Sequence, residues 1–159
     1  PIQNILSNQN IKFETIHYNS LENLNFDPYK KIIICGTALK DNKYLEHLDK
    51  FEFLKNLGIP VLGICSGMQI LGLINDAKLE KIKEIGMTKI SILHENKLFK
   101  TDLNAYTLHG NSLINLDEFE IIAKSDSCTQ AIKLKNKEQY GILFHPEVRN
   151  EQIIIKFIS

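Results

Sequence analysis

The stretch VLGICSGMQILG, residues 61–72, decides how this chain is read. With Ile59 and Pro60 before it, its first half is a short continuous apolar run, the pattern of a strand buried on both faces. From Gly67 onward the apolar residues recur at helical spacing as far as Asn75. Cys65 falls between the two. A buried strand needs no cysteine there, whereas a tight strand-to-helix turn that holds up a nucleophile does. Gly63 lets the strand approach its neighbours closely, and Gly67 is expected to accept the backbone angles of a sharp turn. The sulfur then stands at the carboxyl edge of the sheet, where ligand sites of open α/β sheets lie. The unpaired N–H groups and positive end of the following helix favour an anion beside it, either a thiolate or a developing oxyanion.

Working outward, KKIIIC (30–35) reads as a second buried strand, and YLEHLDKFEFLKNLG (44–58) as a helix stopped by Gly58. IQNILSNQ (2–9) resembles the tail of a helix, and KFETIHY (12–18) alternates like a strand. The second half changes character. Strands are expected at 88–93, 103–109, 118–125, 129–134 and 140–145, with a closing helix in NEQIIIKFIS. Alternating β and α followed by a strand-rich half predicts an α/β fold. It would be a three-layer, flavodoxin-like sandwich with a mostly parallel central sheet, forming a single domain over residues 1–159. Such sheets normally open on a buried strand and this chain opens on half a helix, so a first strand is expected upstream. KLEKIKE (78–84) reads as a solvated face with charge pairs.

Composition narrows the function. Nineteen basic and nineteen acidic side chains cancel, which removes the electrostatic reason to invoke nucleic acid or an anionic membrane. No apolar run is long enough to span a bilayer. The three cysteines are odd in number, far apart and without CxxC or Cys/His ligand spacing. That argues against a disulfide scaffold or a metal site and makes the cytoplasm the expected setting. No cofactor is expected. Cys35 and Cys128 read as core packing.

A reactive cysteine needs a base. Of the five histidines, His145 stands out in YGILFHPEV, because Pro146 cannot donate to a ladder and the strand must end just before it. His145 is thereby presented at a strand end, where the cysteine turn should also lie, and Glu147 follows two positions on to orient its ring. Either motif alone reads as structural. Two of them at strand ends of one sheet favour nucleophilic catalysis on a carbonyl, with Cys65 attacking and His145 moving protons. His17, His47 and His94 have no such pattern and read as surface or half-buried residues.

The motifs GICSGMQ and YGILFHPEV resemble the nucleophile elbow and the terminal His-Pro-Glu segment of the triad (class-I) glutamine amidotransferases. The resemblance runs from KKIIICG onward. TLHGN (107–111), EIGMTKISI (84–92) and FEIIAKSDS (119–127) are similar, within that family, to the glutaminase part of GMP synthetases. It implies hydrolysis of glutamine to glutamate and ammonia, with the ammonia handed to an ATP-dependent synthetase partner. By position it implies Cys65 as nucleophile, His145 as acid/base and Glu147 as its orienter. Ser66 and Thr37 would supply the oxyanion N–H groups. Gly36, Gln69, His109, Gly110 and Asn111 would line the glutamine site. The chain departs from the family's S-G-G-P loop with Cys35-Gly36-Thr37-Ala38, and Leu143 replaces the usual Gln before Phe-His. If position 37 needs angles that only glycine favours, Thr37 would misplace its N–H. Two other readings therefore stand beside the amidotransferase. One is a non-catalytic binding or regulatory relative. The other is a partner-independent hydrolase of γ-glutamyl or other amides.

Overall fold

A computed structural model describes residues 1–159. In chain order the elements are α1 (Ile2–Asn8), β1 (Ile32–Ile34), a 3-10 segment (Lys43–Asn56), β2 (Val61–Ile64), α2 (Ser66–Ile74), β3 (Lys78–Glu80), β4 (Glu84–Ile92), β5 (Leu103–His109), β6 (Ser112–Ile114), β7 (Phe119–Lys124), β8 (Thr129–Leu134), β9 (Gln139–Ile142) and α3 (Gln152–Ile158). Seven strands form one sheet in the order β1-β2-β9-β8-β7-β4-β5, and β3 pairs with β6 in a separate ribbon. The α/β class is as expected, but the parallel character is narrower than the sequence suggested. β2 runs parallel to β1 and β9, and every pair from β9 outward to β5 is antiparallel. Connection length is the reason. Short turns join β7 to β8 and β8 to β9, and a turn that short can only reverse the chain, whereas β1 reaches β2 through a crossover containing the 3-10 segment.

Alternation along β2 and β9 fills both faces of the sheet. Leu62, Ile64, Tyr140 and Ile142 point into a core shared with Ile5 of α1 and with Ile153, Ile154 and Phe157 of α3. On the other face Val61 packs with Ile70, Leu71 and Ile74 of α2 and with Tyr44, Phe51 and Leu54 of the 3-10 segment. α2 is buried at eight of its nine residues because it lies between the sheet and that outer layer. The result is three layers with the carboxyl ends of β1, β2 and β9 together at one edge.

Several expectations are corrected. Residues 12–18 form no strand; Phe13 is 42% exposed, no strand pairs with the segment, and only a short 3-10 turn follows at Tyr18–Ser20. In place of the helix expected over 44–58 stands a 3-10 segment, Lys43–Asn56, broken at His47 (φ −129°, ψ 27°), with apolar side chains three apart, such as Phe51 and Leu54, directed to the core. The 78–84 run is β3 and the start of β4, and Glu84 turns inward instead of into solvent. Cys35 is exposed and so is not core packing, whereas Cys128 is half-buried and packs against the cluster that holds Met68, Leu113 and Ile132; all three cysteines are free. No helix is long and apolar enough to cross a membrane.

Candidate active site

The turn after β2 is built around Cys65. Its backbone N–H donates to the Ile142 carbonyl (2.7 Å), tying it to the end of β9, and its carbonyl accepts from Gln69 N (3.2 Å), starting α2. The residue takes φ 53° and ψ −108°, a conformation that costs a non-glycine residue about 1–3 kcal/mol. The strain sits on the cysteine itself, not on Gly67 as the sequence suggested. Gly67 is required for a different reason: a Cβ there would lie 2.3 Å from the Ile34 carbonyl of β1. The Cys65 side chain is nearly buried, and its thiol donates to the Leu108 carbonyl at 3.7 Å.

His145 arrives from β9. Its backbone N–H donates to the Tyr106 carbonyl of β5 (2.8 Å), and its Nδ1 donates to Glu147 Oε1 at 2.8 Å. With Nδ1 held, Nε2 is the atom left for the cleft; it is buried and makes no hydrogen bond, and Glu147 Oε2 is likewise unpaired. Gly36 defines the gap between the two side chains. A Cβ on it would stand 3.1 Å from Cys65 Cβ and 3.3 Å from His145 Cε1. Cysteine and imidazole therefore converge on one glycine at the sheet edge. Burial alone would lower the His145 pKa; the neighbouring Cys65 and Glu147 side chains outweigh it and push it up to about 10.

A narrow cleft opens beside the sulfur, and Thr37, Ser66, Gln69, His109, Gly110 and Asn111 all line it. Thr37 does not need angles reserved for glycine: the only positive-φ glycine is Gly86, and Thr37 is not among the positive-φ residues. Its hydroxyl donates to the Asp41 carbonyl (3.0 Å), which fastens the loop. Ser66 is the first residue of α2, where N–H groups lack intrahelical partners. Gln69 is already engaged. Its Oε1 accepts from the Tyr44 hydroxyl and its Nε2 donates to the Asn111 carbonyl (3.1 Å), leaving one N–H and one lone pair for a ligand. Burial pushes the Tyr44 phenol up, so it remains a neutral donor. The His109 ring points away from the cleft, with Nδ1 on the Ile82 carbonyl (3.1 Å) and Nε2 on Glu84 Oε2 (3.0 Å), so only its backbone borders the cleft.

Sequence reasoning missed Tyr44, which lay hidden in an apolar periodic run. It also missed Glu84, which lay within a run that looked like a solvated face.

The class-I glutamine amidotransferase family matches residues 2–156 of this chain. The chain belongs to the class-I glutamine amidotransferases. Among its relatives is the glutamine-hydrolysing subunit of the GMP synthase of Methanosphaera stadtmanae, 33% identical over 150 residues, covering 86% of this chain and 81% of that protein. Its counterpart in Thermoplasma acidophilum is 30% identical over 142 residues, covering 84% of this chain and 71% of that protein. A crystal structure of a GMP synthase subunit from Thermoplasma acidophilum superposes with a TM-score of 0.89 at 26% identity, covering 98% of this chain and 83% of that one. Membership gives this amidotransferase its fold and its general chemistry, acting on glutamine. The roles of its individual side chains rest on the geometry above.

Proposed function

We propose that residues 1–159 form one amidotransferase domain that hydrolyses glutamine through Cys65, His145 and Glu147 and delivers the ammonia to an ATP-dependent synthetase partner making GMP. The observation that carries this reading is the convergence of Cys65, held in a strained elbow, and His145, held by Glu147, on the two sides of Gly36. The names of the relatives support the choice of acceptor, and three free cysteines suit a cytoplasmic setting.

The chemistry runs in two halves. The Cys65 thiol passes its proton to His145 Nε2, the sulfur attacks the side-chain amide carbon, and the carbonyl oxygen becomes an oxyanion facing the backbone N–H groups of Ser66 and Thr37. The His145 imidazolium gives its Nε2 proton to the nitrogen as the C–N bond breaks, so ammonia leaves and a thioester remains. Neutral His145 then takes a proton from water, the resulting hydroxide adds to the thioester carbon, and glutamate departs as the sulfur recovers its electron pair. Nε2 has no well-aligned hydrogen bond at rest although Cys65 is near enough to raise the ring's pKa, so the pair is expected to align further when glutamine or the synthetase binds. Slow turnover by the chain alone follows from this.

The test is glutamine hydrolysis by wild type and Cys65→Ala, each with and without a candidate ATP-pyrophosphatase partner, together with labelling by a diazo-ketone glutamine analogue. Ammonia release that disappears in Cys65→Ala, with one adduct on Cys65, is expected. Absence of any adduct, partner present or not, would sink the reading and favour a non-catalytic module. Fast turnover without a partner, or a preference for γ-glutamyl peptides, would replace the synthetase with a free-standing hydrolase.

A further inference from the structure

Behind the cleft, four polar side chains from three strands meet in the interior. Glu84 comes from the start of β4, His109 from the end of β5, Cys128 from the turn into β8 and Gln130 from β8 itself. Glu84 Oε2 lies 3.0 Å from His109 Nε2, 3.5 Å from Cys128 Sγ and 2.5 Å from Gln130 Nε2. The Gln130 amide head is 3.4 Å from both His109 Nε2 and Cys128 Sγ. The carboxylate, imidazole and thiol atoms all lie within 4.8 Å of one another. Four donors around a zinc-sized ion, at bond lengths of about 2.0–2.3 Å, would be separated by about 3.3–3.8 Å. Five of the six edges lie between 2.5 and 3.5 Å, so the four heads cluster closely enough for small shifts to close them on one ion.

Two independent features point the same way. The first is the histidine tautomer. Nδ1 faces the Ile82 carbonyl (3.1 Å) and Nε2 faces Glu84 Oε2 (3.0 Å), both of them acceptors, and an ion on Nε2 would resolve this competition by leaving the ring proton on Nδ1. This is the arrangement of a metal-ligating histidine whose second nitrogen is fixed by a backbone carbonyl. The second is the Gln130 amide. Its NH2, with two hydrogens, faces four acceptors: Glu84, His109, Cys128 and Ser125 Oγ (3.4 Å). Its Oε1 is buried with no partner, on a residue that is fully buried. A buried amide oversubscribed at one end and orphaned at the other is costly as a hydrogen-bond network. Turning it over places Oε1 at the fourth corner.

We propose that Glu84, His109, Cys128 and Gln130 form a closed tetrahedral site for a divalent ion of the zinc class. A thiolate and an imidazole select zinc-like over magnesium-like ions. Binding replaces the Cys128 S–H bond with an S–metal bond and releases the proton to solvent. Ser112 Oγ, buried, beside Cys128 and otherwise unpaired, and Ser125 Oγ, 3.9 Å from the sulfur, are the outer donors to that thiolate. With four protein ligands the ion has no open position and is structural. It would clamp the end of β5, whose Leu108 carbonyl meets the Cys65 sulfur and whose next residues border the cleft. Glu84, His109 and the Cys128–Gln130 pair lie far apart in sequence and are assembled only by sheet pairing, so no linear Cys/His spacing announces them.

The site is tested on the full chain in a Cys35→Ser, Cys65→Ala background, where Cys128 is the sole thiol. The protein is stripped with chelator and titrated with Co2+. One equivalent with a tetrahedral visible spectrum and a thiolate charge-transfer band is expected, displaced by Zn2+ and unaffected by excess Mg2+. Cys128→Ser should abolish the band. Gln130→Ala should keep it but weaken Co2+ by about 10-fold or more. Absence of the band in the parent, or its survival in Cys128→Ser, overturns the proposal and leaves a metal-free hydrogen-bonded knot. Should Cys128→Ser fail to fold, the parent decides alone. Zn2+ must raise its melting temperature where equal Mg2+ does not, and no rise overturns the site. None of these readouts uses glutaminase activity, so the two proposals fail separately.

Discussion

At the scale of single residues, the nucleophile candidate occupies a backbone conformation that a side chain resists. Position 65 has φ 53°, and the fold holds it there through Ile142 on one side and the first turn of α2 on the other. This strain has a measurable signature. Glycine normally destabilises relative to alanine because it loses more chain entropy on folding. At position 65 the order should invert. Cys65→Gly is expected to be more stable than Cys65→Ala by about 1 kcal/mol in urea unfolding, because glycine alone relieves the positive φ. Both variants should lack glutaminase activity. If alanine proves the more stable of the two, the elbow is not strained and the sharp presentation of the sulfur needs another explanation. Gly36 is the complementary case. A Cβ there would press on both the cysteine and the histidine, which would have to give by a few tenths of an ångström, and the glycine's own angles are ordinary.

At the scale of elements, the 3-10 segment, α2 and the loop after β5 are joined by one short chain of hydrogen bonds, Tyr44 to Gln69 to the Asn111 carbonyl. These three elements make one wall of the cleft. Tyr44→Phe removes the first link and leaves the buried Gln69 Oε1 without a donor. A loss of about 1–3 kcal/mol in stability is expected. Steady-state kinetics should show KM for glutamine rising about tenfold with kcat little changed, because the freed amide no longer fixes the wall. An equal fall in kcat with KM unchanged would contradict a positioning role. This wall was only partly legible from the amino-acid order. Buried strands such as β2 and β9 announce themselves as unbroken apolar runs, and the motifs at their ends located Cys65 and His145. Residues 12–18 alternate equally well and form no strand, because alternation signals a half-buried surface only if a neighbour exists to cover it. The segment at 44–58 has helical spacing, yet it folds as 3-10 turns broken at His47, a distinction that periodicity over so few turns does not resolve. Glu84 looked solvated because its neighbours are charged; the pleat turns it inward while Ile85 and Met87 face out.

At the scale of the whole molecule, the sheet converts distance in sequence into adjacency at one edge. Cys65 ends β2 and His145 follows β9, and these strands are parallel neighbours whose ends must coincide. Antiparallel β5 supplies the third side, accepting the His145 N–H through Tyr106. The folded molecule thereby gathers Cys65, Glu147 and His145, and the imidazole proton becomes part of what stabilises it. Burial works against the charged ring, but Cys65 and Glu147 raise its pKa from the ordinary 6.5 to about 10. A pKa raised on folding contributes stability that is complete below the unfolded value and lost as pH climbs through the folded one. Wild type should therefore exceed His145→Gln in stability most clearly near and below pH 6.5, and the gap should close between pH 6.5 and about 10. The Cys65 side chain is the leading influence raising the value, so in a Cys65→Ala background the same comparison should lose most of its pH dependence. Denaturant unfolding of the four proteins across that range measures this directly. A gap that widens with rising pH would mean that the ring is buried neutral and that the thiol and imidazole are not coupled in the folded chain.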